Sequence, residues 1–258
     1  MSKCIFDIET DGLLDTMTKV HCIVLYDIEK DKMYSFHGEE TVDALFFLKN
    51  YSEIIGHNIL NFDLPALKKI YKYEPTPTQK ITDTLVWSKL VYPNRGQRDA
   101  DNKAIDLDQY GRHSLKSWGQ RLNFNKGECT DFEEFSDDML EYCENDVELN
   151  YKLYLKLIEA NFSEESIQLE HQIHEICLKQ TENGFPFDVQ KASLLYSTLC
   201  GKRDSIQKKL KEVFGTWTEC STIVPKRNNK TLGYVEGVPF VKTKVVHFNP
   251  NSRKHIAK

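Results

Sequence analysis

The chain contains no apolar run approaching the eighteen or so residues that a membrane-spanning helix needs. Its opening residues, Met1-Ser2-Lys3-Cys4-Ile5-Phe6, hold neither an apolar core of signal-peptide length nor a small-residue cleavage site, so a cytoplasmic protein is expected. There is no Cys-x-x-Cys pair. The seven cysteines, at positions 4, 22, 129, 143, 177, 200 and 220, are scattered and odd in number, which argues against both a disulfide framework and a zinc site. Reduced thiols are the better reading. No internal repeat is present. With 258 residues, 40% hydrophobic and 28% charged, the composition is that of a soluble globular protein of one large domain, or one domain plus an appendage.

Charge is present in quantity and unevenly placed. Residues 200–258 carry 13 Lys+Arg against 4 Asp+Glu, a net of +9, and residues 1–199 carry the other 21 against 35, a net of −14, which together give the overall −5. A basic tail on an acidic body suggests contact with nucleic acid or an acidic partner. Charge alone fits a solvated lysine-rich face better.

Hydrophobic spacing predicts strands over 3–9, 20–26 and 32–36, a helix over 41–50, a short strand over 53–57 and a helix over 62–73 with Pro65 in its first turn. Residues 80–91 fit strand or helix. Residues 94–112 are polar and aperiodic and read as a long surface loop. Ser136 reads as the N-cap of a long helix ending near Ala160, Ser163 as the cap of another ending at Asn183-Gly184, and Asp188 as the start of a third reaching Gly215. Residues 216–243 read as turn-rich and basic, 245–248 as a strand, and 249–252 as the start of a helix. This order predicts an α/β fold, a mixed sheet flanked by helices, followed by a mostly helical C-terminal segment.

Asp7 and Glu9 are two apart on the first strand, so both project from one face together with Ile5, while Cys4, Phe6 and Ile8 take the other. Two acids on an apolar strand are costly unless neutralised, and a divalent cation neutralises them. An Asp-x-Glu pair is more often a solvated strand end. Asp63 precedes Leu64-Pro65-Ala66-Leu67, where its plainer role is helix N-cap. Tyr142 and Asp146 are four apart on the long helix and stack on a face shared with Leu149. An inward-facing Asp there is expensive without a cation, although a slightly rotated helix would leave it on the surface. In conjunction the three pieces are far more specific than any one of them. Asp83, His57 and His113 read as structural, Trp118 as core, and Asp99-Ala100-Asp101-Asn102 lacks the Gly and final Glu of a calcium loop.

FDIET (6–10), HNILNFD (57–63) and YCENDV (142–147) resemble the three exonuclease motifs of the DEDD superfamily, tyrosine subgroup, which has an RNase H-like fold. DTLVWSKL (83–90), HSLKSWGQRL (113–122), QTENGFPFD (180–188) and VVHFNPNSRKHI (245–256) resemble the N-terminal part of family A DNA polymerases of short-tailed phages. The resemblance spans nearly the whole chain and is weakest over 94–112. It implies an exonuclease domain over 1–183 and a truncated start of the polymerase region, the base of the thumb, over 184–258. It implies hydrolysis of DNA 3′ ends, with Asp7, Glu9, Asp63, Tyr142 and Asp146 as catalytic residues and two Mg²⁺ (or Mn²⁺) held by the four acids. Asp7, Glu9 and Asp146 would hold the nucleophile-side ion, Asp7 would bridge to the second, and Asp63 would help hold that one. Tyr142 would orient the attacking water. Thr10, Leu13, Leu14, Asn58 and Phe62 would meet the terminal nucleotide. The implied partners are a single-stranded DNA 3′ end and a polymerase half, in the same longer chain or as a separate subunit, working in a host cytoplasm.

The chain departs from the full polymerase in having no His followed by Asp, and so no His-Asp-Glu turn of a palm. It should not polymerise DNA alone. Two other functions fit parts of the pattern: an RNA 3′-trimming exonuclease, disfavoured by segments 180–188 and 245–256, and a silent exonuclease fold serving as an assembly platform, disfavoured by the full set of acids and the Tyr.

Overall fold

The computed structural model describes residues 2–103, 105–124, 127, 129 and 131–257. Two compact units divide it, residues 2–184 and 185–257. In the first, strands β1 (Lys3–Thr10), β2 (Val20–Asp27), β3 (Lys32–His37), β4 (Glu53–Gly56) and β5 (Lys80–Asp83) form a sheet in the order β3-β2-β1-β4-β5. β1 pairs antiparallel with β2, and β2 with β3, while β4 and β5 extend the sheet in parallel. β1 and β2 are joined by the loop 11–19, and β2 and β3 by the short turn 28–31, as antiparallel pairs permit. The parallel strands are reached through helices α1 (Thr41–Lys49) and α2 (Asp63–Tyr71), as parallel pairing requires.

The two faces of β1 are separated as its alternation predicts. Cys4, Phe6 and Ile8 join one buried cluster that includes Ala44, Leu45 and Leu48 of α1 and Ala66 and Leu67 of α2. Ile5 joins the other, with Val24, Ile55, Trp118 and the inner face of α6 (Asp137–Glu159), namely Cys143, Val147, Leu149, Leu153 and Leu157. Asp7 and Glu9 therefore project towards α6. Ser136 caps that helix by accepting the Met139 N–H at 3.2 Å.

Residues 80–91 are both strand and helix. β5 ends at Asp83, whose carboxylate accepts the amides of Leu85 and Val86 and so starts α3 (Thr84–Val91). The 94–112 segment is not a loop throughout. It contains helix α4 (Arg95–Asn102) and a short 3-10 turn at Leu107–Gln109. α4 has no apolar stripe to reveal it, because a buried ion pair holds it down: Arg121, on α5 (Leu115–Arg121), meets the Asp99 carboxylate at 2.7 Å, with side chains 4% and 3% exposed. Arg95 adds a second contact at 3.1 Å. α7 (Glu164–Asn183) is capped by Ser163 and closes at Gly184, as expected.

The second unit holds α8 (Val189–Phe214), capped by Asp188, and a short helix α9 (Arg253–Ile256). Residues 216–243 are turn-rich over 224–239 as expected, but both ends are strand. β6 (Thr216–Ile223) pairs antiparallel with β7 (Phe240–His247), which takes in the expected strand 245–248 except its last residue. These strands are rich in Thr and Val, which suit a pleated ribbon, but they carry polar residues on both faces and so show no clean alternation. Phe248, the one buried residue among those described in this unit, stacks on Phe214 at 4.6 Å. Among the described residues no helix is long and apolar enough to cross a membrane.

Removing one partner of a buried ion pair strands the other charge. Asp99→Ala should therefore destabilise the first unit by about 3 kcal/mol in urea denaturation. Asp101→Ala, at an exposed position of the same helix, should stay within about 0.5 kcal/mol. Equal effects from the two would refute the role given to the pair.

Candidate active site

Five residues singled out by the motifs converge. Asp7 and Glu9 of β1, Asp63 at the start of α2, and Tyr142 and Asp146 of α6 line one cavity of about 420 Å³, together with Asn58 and Phe62 of the 57–62 loop. Its apolar walls include Leu85, Leu115 and Phe132. The edge of one ring, Phe132 or Tyr142, stands against the face of the other, with centroids 6.2 Å apart and planes at 80°.

The backbone explains why these groups meet. β1 delivers Asp7 and Glu9 on the α6 side of the sheet, and its register slips by one residue between Glu9 and Thr10, where the strand leaves its pairing. β4 ends at Gly56, where a Cβ would fall 2.0 Å from the Ile59 side chain and 3.1 Å from the Phe6 carbonyl, so the chain can turn here only without a side chain. Asn58 then takes a left-handed φ of +69°, which asparagine tolerates. Asp63 is not the N-cap expected of it. The helix begins at Asp63 itself, and Phe62 occupies the cap position with no capping side chain. The carboxylate points into the site instead.

Asp7 and Glu9 are half-buried, while Asp63 and Asp146 are 3% and 5% exposed. Burial pushes the Asp63 carboxyl up to about 8, and the negative charges of Asp83 and Asp146 add to the effect against backbone hydrogen bonds from Asp63 itself and Ile8. Carboxylates so crowded and so dry fit a divalent cation, which restores the charge balance that burial removes. Among the described residues, Asp7, Glu9 and Cys143 offer possible ligand atoms that all lie within 4.8 Å of one another.

Cys143 was missed by the sequence reading, although its position three before Asp146 puts it on the same helix face. Burial holds its thiol well above the usual range. It therefore stays protonated and donates to Asp7 Oδ2 at 3.7 Å, orienting that carboxylate. The oxygen donors that remain suit magnesium or manganese better than zinc. Phe132 was also missed; it lies in an aperiodic segment that offers no signal.

Three residues assigned to the terminal nucleotide do not line the cavity. Thr10 is buried and donates to the Gly12 carbonyl at 2.8 Å, Leu13 is exposed, and Leu14 packs against the core cluster. The loop they begin is nevertheless held in place. Asp11 accepts the amides of Thr18 and Lys19 at 2.8 and 3.1 Å, and Lys69 of α2 donates to the carbonyls of Leu14 and Met17 at 2.6 and 3.0 Å. His57 and His113 have Nδ1 atoms 2.9 Å from the hydroxyls of Thr84 and Ser88 respectively, and His57 also lines the cavity.

The Asp63 shift sets a sign for stability. Its folded value is raised above the usual carboxylate value of about 4. Between about 4 and about 8 the metal-free folded state thus keeps a proton that the unfolded chain releases, and stability falls as pH rises through that window. In EDTA the wild-type Tm should fall from pH 5 to about pH 8. Asp63→Asn should melt higher at pH 8 and show a flatter profile. Parallel profiles for the two proteins would contradict the assignment.

Three comparisons place the chain among known proteins. It is 28% identical to the DNA-directed DNA polymerases of Escherichia phage T7 and Enterobacteria phage T3, over 98% of this chain and 48% of each relative, so it spans about half their length. A nuclease solved in its apo form superposes with a TM-score of 0.50 at 18% identity, covering 72% of this chain and 89% of that one. A family model of the RNase H superfamily matches residues 4–158, well over half of the chain and the whole segment that builds the site, and the chain belongs to that superfamily.

Proposed function

We propose that the chain is a proofreading 3′→5′ exonuclease that hydrolyses DNA 3′ ends to nucleoside monophosphates, as the N-terminal part or a subunit of a family A DNA polymerase. The observation that carries this reading is the convergence of four carboxylates and a tyrosine from a strand, a helix start and a late helix on one cavity. Divalent cations, when bound there, would lower the pKa of a water molecule and offset the charge that builds on the scissile phosphate.

The chain's own residues supply the rest. Asp7, Glu9 and Asp146 would hold one cation, and Asp63, which must lose its proton to serve, would help Asp7 to hold a second. Tyr142 orients the attacking water through its phenol, which is too weakly acidic to be the sole base. Its ring is set by Phe132. Phe62 and Phe132 offer apolar and aromatic surface against which unpaired bases and sugars can rest, a contact that favours single strands without selecting sequence. The basic 200–258 segment supplies positive charge for the nucleic-acid backbone. The phage relatives are polymerases about twice as long, which supports a polymerase half as partner.

The test is cleavage of 5′-labelled single-stranded DNA and RNA oligonucleotides with magnesium, with EDTA, and with Asp7→Ala protein. We expect a magnesium-dependent ladder on DNA, shortening from the 3′ end. Asp7→Ala should reduce it by about 10³-fold, the loss of some 4 kcal/mol of charge stabilisation. Tyr142→Phe should cost less, about tenfold. A ladder on RNA alone would move the protein to RNA processing, and wild-type rates from Asp7→Ala would refute the site.

A further inference from the structure

We propose that His171 of α7 is a positioning residue for this exonuclease site, acting through Asp83 on the 57–62 loop that presents Asp63. The inference rests on the function proposed above and concerns groups that touch neither substrate nor ion.

His171 is 8% exposed and uses both ring nitrogens. Nε2 lies 2.7 Å from the backbone N–H of Asp83, and Nδ1 lies 2.8 Å from the Ile167 carbonyl. An amide can only donate and a carbonyl can only accept. Nε2 must therefore carry the lone pair and Nδ1 the proton, so a single neutral tautomer satisfies the site.

The Asp83 that it holds is fully buried and serves two structures at once. Its carboxylate accepts the Leu85 amide at 2.9 Å, starting α3, and the amides of Asn58 and Leu60 at 2.9 and 3.2 Å. Those two bonds keep Asn58 in its left-handed conformation. The loop is also braced internally. The amides of Asn61 and Phe62 both donate to the Asn58 carbonyl at 3.1 Å, and that of Leu64 donates to the Ile59 carbonyl at 3.0 Å. A displacement of Asn58 and Leu60 is thus passed to Phe62 and Asp63, with little slack between.

The next residue ties in the second catalytic helix. The Thr84 hydroxyl donates to Asn150 Oδ1 at 2.7 Å, and Asn150 stands one turn beyond Asp146 on α6. Consecutive residues, Asp83 and Thr84, are thereby fixed from α7 and from α6, and they register the Asp63 loop against the helix carrying Tyr142 and Asp146. Packing alone would be served by an apolar residue at 171. A buried histidine is costly unless both nitrogens are bonded, and here both are.

The test compares His171→Phe, which keeps a ring and loses the acceptor, with His171→Gln, whose side-chain carbonyl can accept the Asp83 amide. In the oligonucleotide assay, His171→Phe should lower kcat about tenfold. It should raise the magnesium needed for half-maximal rate several-fold and change KM for DNA by less than about twofold. His171→Gln should restore both parameters to within about threefold of wild type. A purely structural role would lower Tm without moving the magnesium dependence. Wild-type kcat and magnesium dependence in folded His171→Phe protein would overturn the proposal.

Should that variant fail to fold, amide exchange in the wild-type chain decides. Asn58, Leu60 and Asp83 amides opening together, with a common free energy, would support the latch, and independent opening would overturn it. If wild-type protein cleaves nothing, the exonuclease reading fails, and the exchange measurement still judges the latch.

Discussion

The structure depends on one electrostatic constraint: several carboxylates are held close together at the edge of an apolar interior. Asp7 and Glu9 leave a strand whose other face buries Cys4, Phe6 and Ile8, and Asp63 and Asp146 are almost completely buried. Such a group is unstable by itself, as the raised Asp63 carboxyl records. The surrounding fold works to hold the acids apart from their preferred solvent and in register with one another. Gly56 permits the turn, Asp83 gathers the loop amides, Cys143 orients Asp7, and Lys69 fastens the loop that follows the first motif. A divalent cation converts the same crowding from a cost into a binding energy.

Much of this was legible from residue spacing. The two-residue period of Cys4–Glu9 assigned each side chain to its face, and the four-residue step from Tyr142 to Asp146 put both on the helix face that the structure turns inward. The caps at Ser136, Ser163 and Asp188 marked helix starts that the structure reproduces. The fold class followed from these elements.

What was not legible lacked a hydrophobic period. α4 is held by Asp99, paired locally with Arg95 and, across 22 residues, with Arg121, a contact that no local pattern announces. β6 and β7 are polar on both faces, and a ribbon of that kind hides among turn residues. Asp63 looked like a cap because Asp before a helix usually is one, and only the packing of the 57–62 loop shows it one residue further in. The bond between His171 and Asp83 spans 88 residues and joins two positions that look ordinary in isolation.

Manganese in crystals tests most directly whether this cavity holds two metal ions, as proposed. Anomalous difference maps from crystals soaked with Mn²⁺ and a nucleoside monophosphate should show two peaks about 3.5–4 Å apart. One should lie among Asp7, Glu9 and Asp146, and the other between Asp7 and Asp63. An empty cavity at saturating Mn²⁺, or peaks confined to sites that these four acids do not touch, would contradict the account.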